Sequence, residues 1–275
     1  MNFSDLIHSL VSLNNNYAKY FLDGQRPIVS IDSATEIAEQ IEGLMFPSFF
    51  THSYESGKGL EHRAEELFRI LVKTLLPLLE EGDSRWAEHM AEDILQDIPS
   101  VKQMLIKDAI AIFRGDPAAC SVDEILLCYP GFFAVMSYRI ARLFYLRKIP
   151  YIPRIITERA HRLTGIDIHP GAAIGESLCI DHGTGVVIGE TAIIGNRVKI
   201  YQGVTIGAKS FEPDGTGGLI KGKKRHPNIG DDCIIYAGAT ILGGDTVIGN
   251  GSVIGGNVWL THSVSPGSRV YYNEK

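Results

Sequence analysis

Two hydrophobic rhythms divide the chain. From residue 165 onward an aliphatic side chain returns at every sixth position: Ile168, Ile174 and Ile180; Ile188, Ile194, Ile200 and Ile206; Ile229, Ile235 and Ile241; Ile248, Ile254 and Leu260. Many of these are followed by glycine, as in Ile174-Gly175, Ile206-Gly207 and Ile254-Gly255. Repetition of this kind predicts a parallel β-helix, in which short strands each turn one aliphatic residue inward. A single coil buries only a thin slice of core, so such a stack is stable only as an array.

Before residue 165 the apolar spacing is three and four, which predicts helices. Ser33-Ala34-Thr35-Glu36 has the form of a capping box, with Ile37, Ile41, Leu44 and Met45 on one face and Pro47 as the stop. Ala64, Leu67, Phe68, Leu71 and Leu75 trace a second helix from Glu61. Asp83-Ser84 is read as the cap of a third helix ending near Asp97, and Pro99 as the first turn of a fourth that reaches Phe113. A turn at Gly115-Asp116-Pro117 leads to a short helix at Asp123 to Cys128, a longer one from Pro130 to Leu146, and a last one ending near Thr164. The expected fold class is α+β, with an α-helical oligomerisation domain over residues 1–164 and a β-helix over 165–275.

Where the six-residue period breaks, residues are free to bulge outward, and outward insertions on a rigid scaffold are where binding groups collect. Two extra residues fall between Ile180 and Ile188, at Asp181 to Gly185. Between Ile206 and Ile229 the spacing is 23, read as five residues beyond three repeats, so residues 208–226 form an extruded loop rich in Gly and Lys. One extra residue separates Ile241 from Ile248.

Glycine usage agrees with the division: of 29 glycines, 7 precede residue 165 and 22 follow. A net charge of -6 argues against a general nucleic-acid binder. Cys120, Cys128, Cys179 and Cys233 have neither zinc nor disulfide-framework spacing and fit a reducing compartment. The N-terminus lacks a signal-peptide pattern and no segment is apolar for a membrane span, so a cytoplasmic protein is expected.

The bulge holds the densest acid–base chemistry. His182 follows Asp181, and Asp167 lies fourteen residues before Asp181, which on a coil of about eighteen residues brings Asp167 and His182 near one corner on adjacent coils. A carboxylate that steadies a neutral imidazole makes a general base near neutral pH. Arg225-His226-Pro227 closes the long loop, where a guanidinium suits a carboxylate and His226 suits a polar substrate. Loop lysines suit a polyanionic partner. The histidines are too widely spaced for the paired metal ligands of trimeric zinc carbonic anhydrases, which use the same coil, and no metal is expected.

In order, Gly-Ile-Asp-Ile-His-Pro-Gly-Ala-Ala-Ile-Gly from Gly165, Ile-Asp-His-Gly-Thr-Gly-Val-Val-Ile-Gly-Glu-Thr from Ile180, Tyr-Gln-Gly-Val-Thr-Ile-Gly from Tyr201 and Lys-Arg-His-Pro from Lys224 resemble the serine O-acetyltransferase family. The resemblance covers about residues 110–270 and implies a left-handed parallel β-helix, trimers or paired trimers with sites between subunits, and transfer of acetyl from acetyl-CoA to L-serine in cysteine biosynthesis. It also implies residue roles: His182 as general base, Asp167 as its orienting carboxylate, Asp116 and Asp181 at the serine ammonium, Arg225 at the serine carboxylate with His226 assisting. Glu190 matches the family pattern without an assigned role. Backbone near Gly207 and Ala208 is implied for the oxyanion, and Ala208, Ala237 and Gly256 for acetyl-CoA, a co-substrate and not a resident cofactor. The family has glycine where Ala208 stands. The tail ending Asn273-Glu274-Lys275 is not the longer Ile-terminated tail by which members dock with the next enzyme, so that complex is not expected. Rival readings are an acyltransferase for a sugar hydroxyl and a non-catalytic scaffold; the Asp181-His182 bulge with Arg225-His226 favours an amino-acid acceptor.

Overall fold

A computed structural model describes residues 3–16, 29–50, 57–78, 84–215 and 218–272. Among these, α-helices come first: α1 (Phe3–Asn16), α2 (Ile31–Met45), α3 (Pro47–Phe50), α4 (Gly57–Leu75), α5 (Ser84–Gly115), α6 (Val122–Cys128), α7 (Pro130–Leu146) and α8 (Ile152–Thr164). None of the described helices is long and apolar enough to cross a membrane.

Two local readings change. The cap of α2 is Ser30, whose hydroxyl accepts the Ser33 N–H at 3.0 Å, so the capping box at Ser33 lies inside the first turn. An extended Ser30 offers an earlier acceptor, and Asp32 then sits favourably at the positive end of the helix. The expected pair of helices meeting at Pro99 is one 32-residue helix, α5. Ile94, Ile98, Val101, Leu105 and Ile112 hold one buried face on both sides of the proline, which outweighs the single intrahelical hydrogen bond that proline removes. Asp83, read as a cap, lies outside the described residues. In α7 the apolar face is a nearly complete girdle: Phe132, Val135, Met136, Tyr138, Ile140, Ala141 and Phe144 are all buried, because helices pack on one side and the coil on the other.

From Asp167 the chain winds into three sheets whose pairings are all parallel, a left-handed parallel β-helix. The first sheet stacks Ile168, Ile188, Ile206, Ile241 and Leu260 in register. The second stacks Ile174, Ile194, Ile229 and Ile248, and the third Ile180, Ile200, Ile235 and Ile254. All thirteen periodic residues are buried. Pairing also corrects the size of the long insertion. Ile206 and Ile229 occupy successive faces of one turn, where six residues would suffice, so about seventeen residues are extruded and not five.

Helices and coil are joined by polar groups with almost no access to water. Arg139 donates from Nε to Asp108 Oδ2 at 2.5 Å and from Nη2 to Asp108 Oδ1 at 2.9 Å and to the Gly175 carbonyl at 2.8 Å. Asp108 also accepts the Leu178 N–H at 2.9 Å. Burial pushes the Asp108 carboxyl up, and the Arg139 guanidinium opposes that shift. Removing one member of such a pair leaves an uncompensated buried charge, so Arg139→Met is expected to destabilise the fold by about 3–5 kcal/mol in urea unfolding. A loss below about 1 kcal/mol, the range of an exposed pair, contradicts the buried clamp.

Candidate active site

Three sheets make three corners; the third carries an ion-pair cluster of Arg197 with Asp232 and Asp231, and the expected site residues gather at the other two. The first joins the third sheet to the first and carries the Asp181–Gly185 bulge. His182, Gly183 and Gly185 there have φ of 57°, 82° and 82°. The left-handed turn suits the glycines and strains His182. A Cβ on Gly183 would lie 2.4 Å from Ile166 Cδ1, so glycine is needed for the bulge to seat on the start of the coil. The turn sends the His182 imidazole outward, 74% exposed.

Two carboxylates stand beside it. Asp181 is nearly buried; its Oδ1 lies 3.9 Å from His182 Nε2 and its Oδ2 3.1 Å from Lys199 Nζ. Asp116 follows the end of α5 and accepts the Tyr129 hydroxyl on Oδ2 at 2.7 Å and the Ala118 N–H on Oδ1 at 2.8 Å. Those two bonds, with Lys199 and His182 nearby, hold its carboxyl below the usual range. The same hydrogen bond pushes the Tyr129 phenol up to about 12. Above the bulge a backbone ladder climbs this corner: Gly203 N–H to Thr184 O, Gly238 N–H to Gln202 O and Asn257 N–H to Ala237 O, each at 2.9 Å. Ala237 and Gly256 therefore stand on successive coils above His182.

The second corner joins the first sheet to the second. Arg225 Nη2 donates to Glu190 Oε2 at 2.6 Å, and the Tyr145 hydroxyl donates to Glu190 Oε1 at 3.4 Å. Burial pushes the Glu190 carboxyl up, but the Arg225 hydrogen bond and nearby His169 hold it below its ordinary value. His226 Nδ1 accepts the Thr191 N–H at 3.1 Å, which leaves its proton on Nε2. Burial, then the charges of Arg225 and Lys224, bring the His226 imidazole down to about 4. The ring lies flat on Gly189, where a Cβ would fall 2.0 Å from His226 Cδ2. Gly207 and Ala208 belong to this corner too, since Gly207 pairs with Leu242 and the Gly243 N–H donates to the Gly207 carbonyl. Beside them the long loop closes a cavity of about 490 Å³ with Lys209, Phe211, Lys224 and Arg225 in its wall. Of the loop lysines, Lys223 is paired with Glu212 and Lys224 caps the Thr191 and His226 carbonyls.

The expected site residues thus fall into two sets on either side of the first sheet: Asp116, Asp181, His182, Ala237 and Gly256 at one edge, Gly207, Ala208, Arg225 and His226 at the other. Asp167 opens the first coil, and the bulge that carries His182 seats one layer above that opening at the same corner, where the Gly185 N–H donates to the Gly165 carbonyl at 2.7 Å. Its carboxylate lies with Glu158 and His161, their ligand atoms within 4.8 Å of one another. Among the described residues no hydrogen bond joins Asp167 to His182. Glu158 lies 3.3 Å from His161 and pairs with Arg154, so the Asp167 carboxylate stands beside a polar cluster at the end of α8. Sequence reasoning missed Tyr129, Lys199, Thr191 and Gly189, whose partners come from other segments of the chain.

No family model matches the chain. A plasmid-encoded serine acetyltransferase of Synechococcus elongatus is 58% identical over 187 residues, 68% of this chain and 58% of that protein. The serine acetyltransferase of Bacillus subtilis is 48% identical over 168 residues, 61% of this chain and 73% of that protein. The aligned part spans between 52% and 58% of the length of three cyanobacterial relatives. Among solved structures, serine acetyltransferase 1 of Entamoeba histolytica in complex with L-cysteine superposes with a TM-score of 0.77 at 38% identity, over 90% of this chain and 88% of that one. Soybean serine acetyltransferase complexed with serine gives a TM-score of 0.61 at 29% identity, over 89% and 98%. With 48% identity over 73% of the Bacillus subtilis protein and a shared shape over 90% of its own length, the chain belongs to the serine acetyltransferase family.

Proposed function

We propose that the chain transfers an acetyl group from acetyl-CoA to the hydroxyl of L-serine, giving O-acetyl-L-serine and CoA. The observation that carries this reading is the exposed His182 imidazole beside two carboxylates, in a chain of this family. His182 takes the hydroxyl proton as the serine oxygen attacks the thioester carbonyl. The tetrahedral intermediate collapses with cleavage of the carbon–sulfur bond, and the imidazolium returns its proton to the CoA thiolate. Asp167 is the proposed orienting carboxylate, a reading supported by the seating of the bulge on the start of the coil through the Gly185 N–H bond to the Gly165 carbonyl. Asp116 and Asp181 receive the serine ammonium, Arg225 its carboxylate and neutral His226 a polar atom. Backbone N–H groups near Gly207 and Ala208 steady the oxyanion. Acetyl-CoA lies along Ala208, Ala237 and Gly256, with loop lysines at its phosphates.

The separation of the two corners supports a site shared between copies. A threefold arrangement in which the first edge of one chain meets the second edge of the next brings both sets together. Exposed Val187 and Trp259 on the intervening sheet then lie between chains. Residues 1–164 serve as the assembly region, in trimers or paired trimers, in the cytoplasm.

Thiol release from acetyl-CoA is expected to depend on L-serine, and His182→Ala to lower kcat by about 10²- to 10⁴-fold; release with a sugar hydroxyl and not with serine contradicts the acceptor assignment. Gly189→Ala forces His226 off its shelf, with an expected cost of about 1–3 kcal/mol in thermal unfolding together with loss of activity. Full activity and an unchanged melting temperature would show that the shelf is not needed. L-cysteine carries the same ammonium and carboxylate as serine, so steady-state kinetics are expected to give inhibition competitive with serine; unchanged rates at high cysteine refute a shared site.

A further inference from the structure

Lys199 lies in an outward column of the third sheet with Cys179, Ile234, Val253 and Arg269. An outward lysine ordinarily reaches into water, but this one folds back and is 17% exposed. Its Nζ donates to the Gly115 carbonyl at 2.6 Å, approaches Asp181 Oδ2 at 3.1 Å and sits 4.5 Å from the centre of the Tyr201 ring. That ring is stacked on Tyr236, with centroids 5.1 Å apart and planes at 12°. Gly115 is the last residue of α5, immediately before Asp116, so one ammonium grips both the backbone that delivers Asp116 and the carboxylate of Asp181.

We infer that Lys199 is a positioning residue for the serine ammonium site: it fixes the distance between Asp116 and Asp181 and leaves Asp181 Oδ1 for the substrate. The inference rests on the serine acetyltransferase reading above. Charge balance gives it a physical reason. Asp116 and Asp181 carry two negative charges, and Lys199 with the substrate ammonium supplies two positive ones. Without Lys199 the nearly buried Asp181 carboxylate keeps, among the described residues, only the titratable His182 imidazole beside it. Its loss also frees the last carbonyl of α5, which the ammonium caps, at the favourable negative end of the helix. Close packing keeps the arrangement in place: a Cβ on Gly115 would lie 3.1 Å from Cys179 Sγ and 3.7 Å from Lys199 Nζ.

Three substitutions separate the contributions. Lys199→Met removes charge and donor, Lys199→Gln removes charge but keeps a donor for the Gly115 carbonyl, and Lys199→Arg keeps the charge. Steady-state kinetics with L-serine and acetyl-CoA are expected to show a serine KM raised about tenfold or more in the Met and Gln variants. The acetyl-CoA KM stays within about twofold, and the Arg variant recovers most of the serine KM. A Gln variant with wild-type serine KM reduces Lys199 to a helix cap and overturns the inference, as does a folded Met variant with unchanged serine KM or an Arg variant no better than Gln. Should the Met variant not assemble, the Gln and Arg pair decides. Wild-type protein with no serine-dependent thiol release refutes the serine acetyltransferase reading itself, a result distinct from any of these.

Discussion

The in-register stacking of one inward aliphatic residue per hexad is the constraint on which the rest of the molecule depends. Ile stands on Ile from coil to coil on all three faces, so each coil has the same cross-section as the one below. Burying each such side chain contributes about 1.5–3 kcal/mol relative to exposure. Because the register is parallel and nearly unbroken, corners also stack on corners, and residues far apart in sequence recur along one edge. Any residue inserted into this pattern has to leave the wall, as the Asp181–Gly185 bulge and the long loop do.

Each edge handles its charge differently. At the first, Tyr129 and Ala118 hold Asp116 while Lys199 holds Asp181, with the His182 imidazole left exposed between polar groups. At the second, Arg225 is engaged by Glu190 and His226 is neutral and packed on backbone. The first edge therefore presents anionic groups beside an exposed imidazole, and the second a paired cation beside a buried imidazole.

How much of this was legible in sequence follows from the range over which each feature is determined. The hexads could be read because every inward position reports its environment through a local period, and the bulge because two residues break that period. The continuity of α5 through Pro99 could not, since it depends on burial of Ile94 and Val101 against other segments. The seventeen-residue size of the extrusion was misread because three repeats and one repeat reach faces that only strand pairing distinguishes. Asp116 became a candidate through family resemblance alone; Lys199 and Tyr129 carry no local pattern, because their contacts with Gly115, Asp181 and Asp116 are made only by the folded chain. The salt bridge of Arg225 with Glu190, 35 residues earlier, was hidden for the same reason.

In the proposed assembly one chain holds two halves of different sites and a second copy completes each. Mixing His182→Ala chains with Arg225→Ala chains, by joint unfolding and reassembly, tests it directly. If each site takes His182 from one chain and Arg225 from the next, an equal mixture of two inactive variants regains about a quarter of the wild-type serine-dependent thiol release, the share of interfaces with both groups intact. If both groups served a site within a single chain, every site would lack one of them, and activity no greater than the sum of the parents would contradict the account.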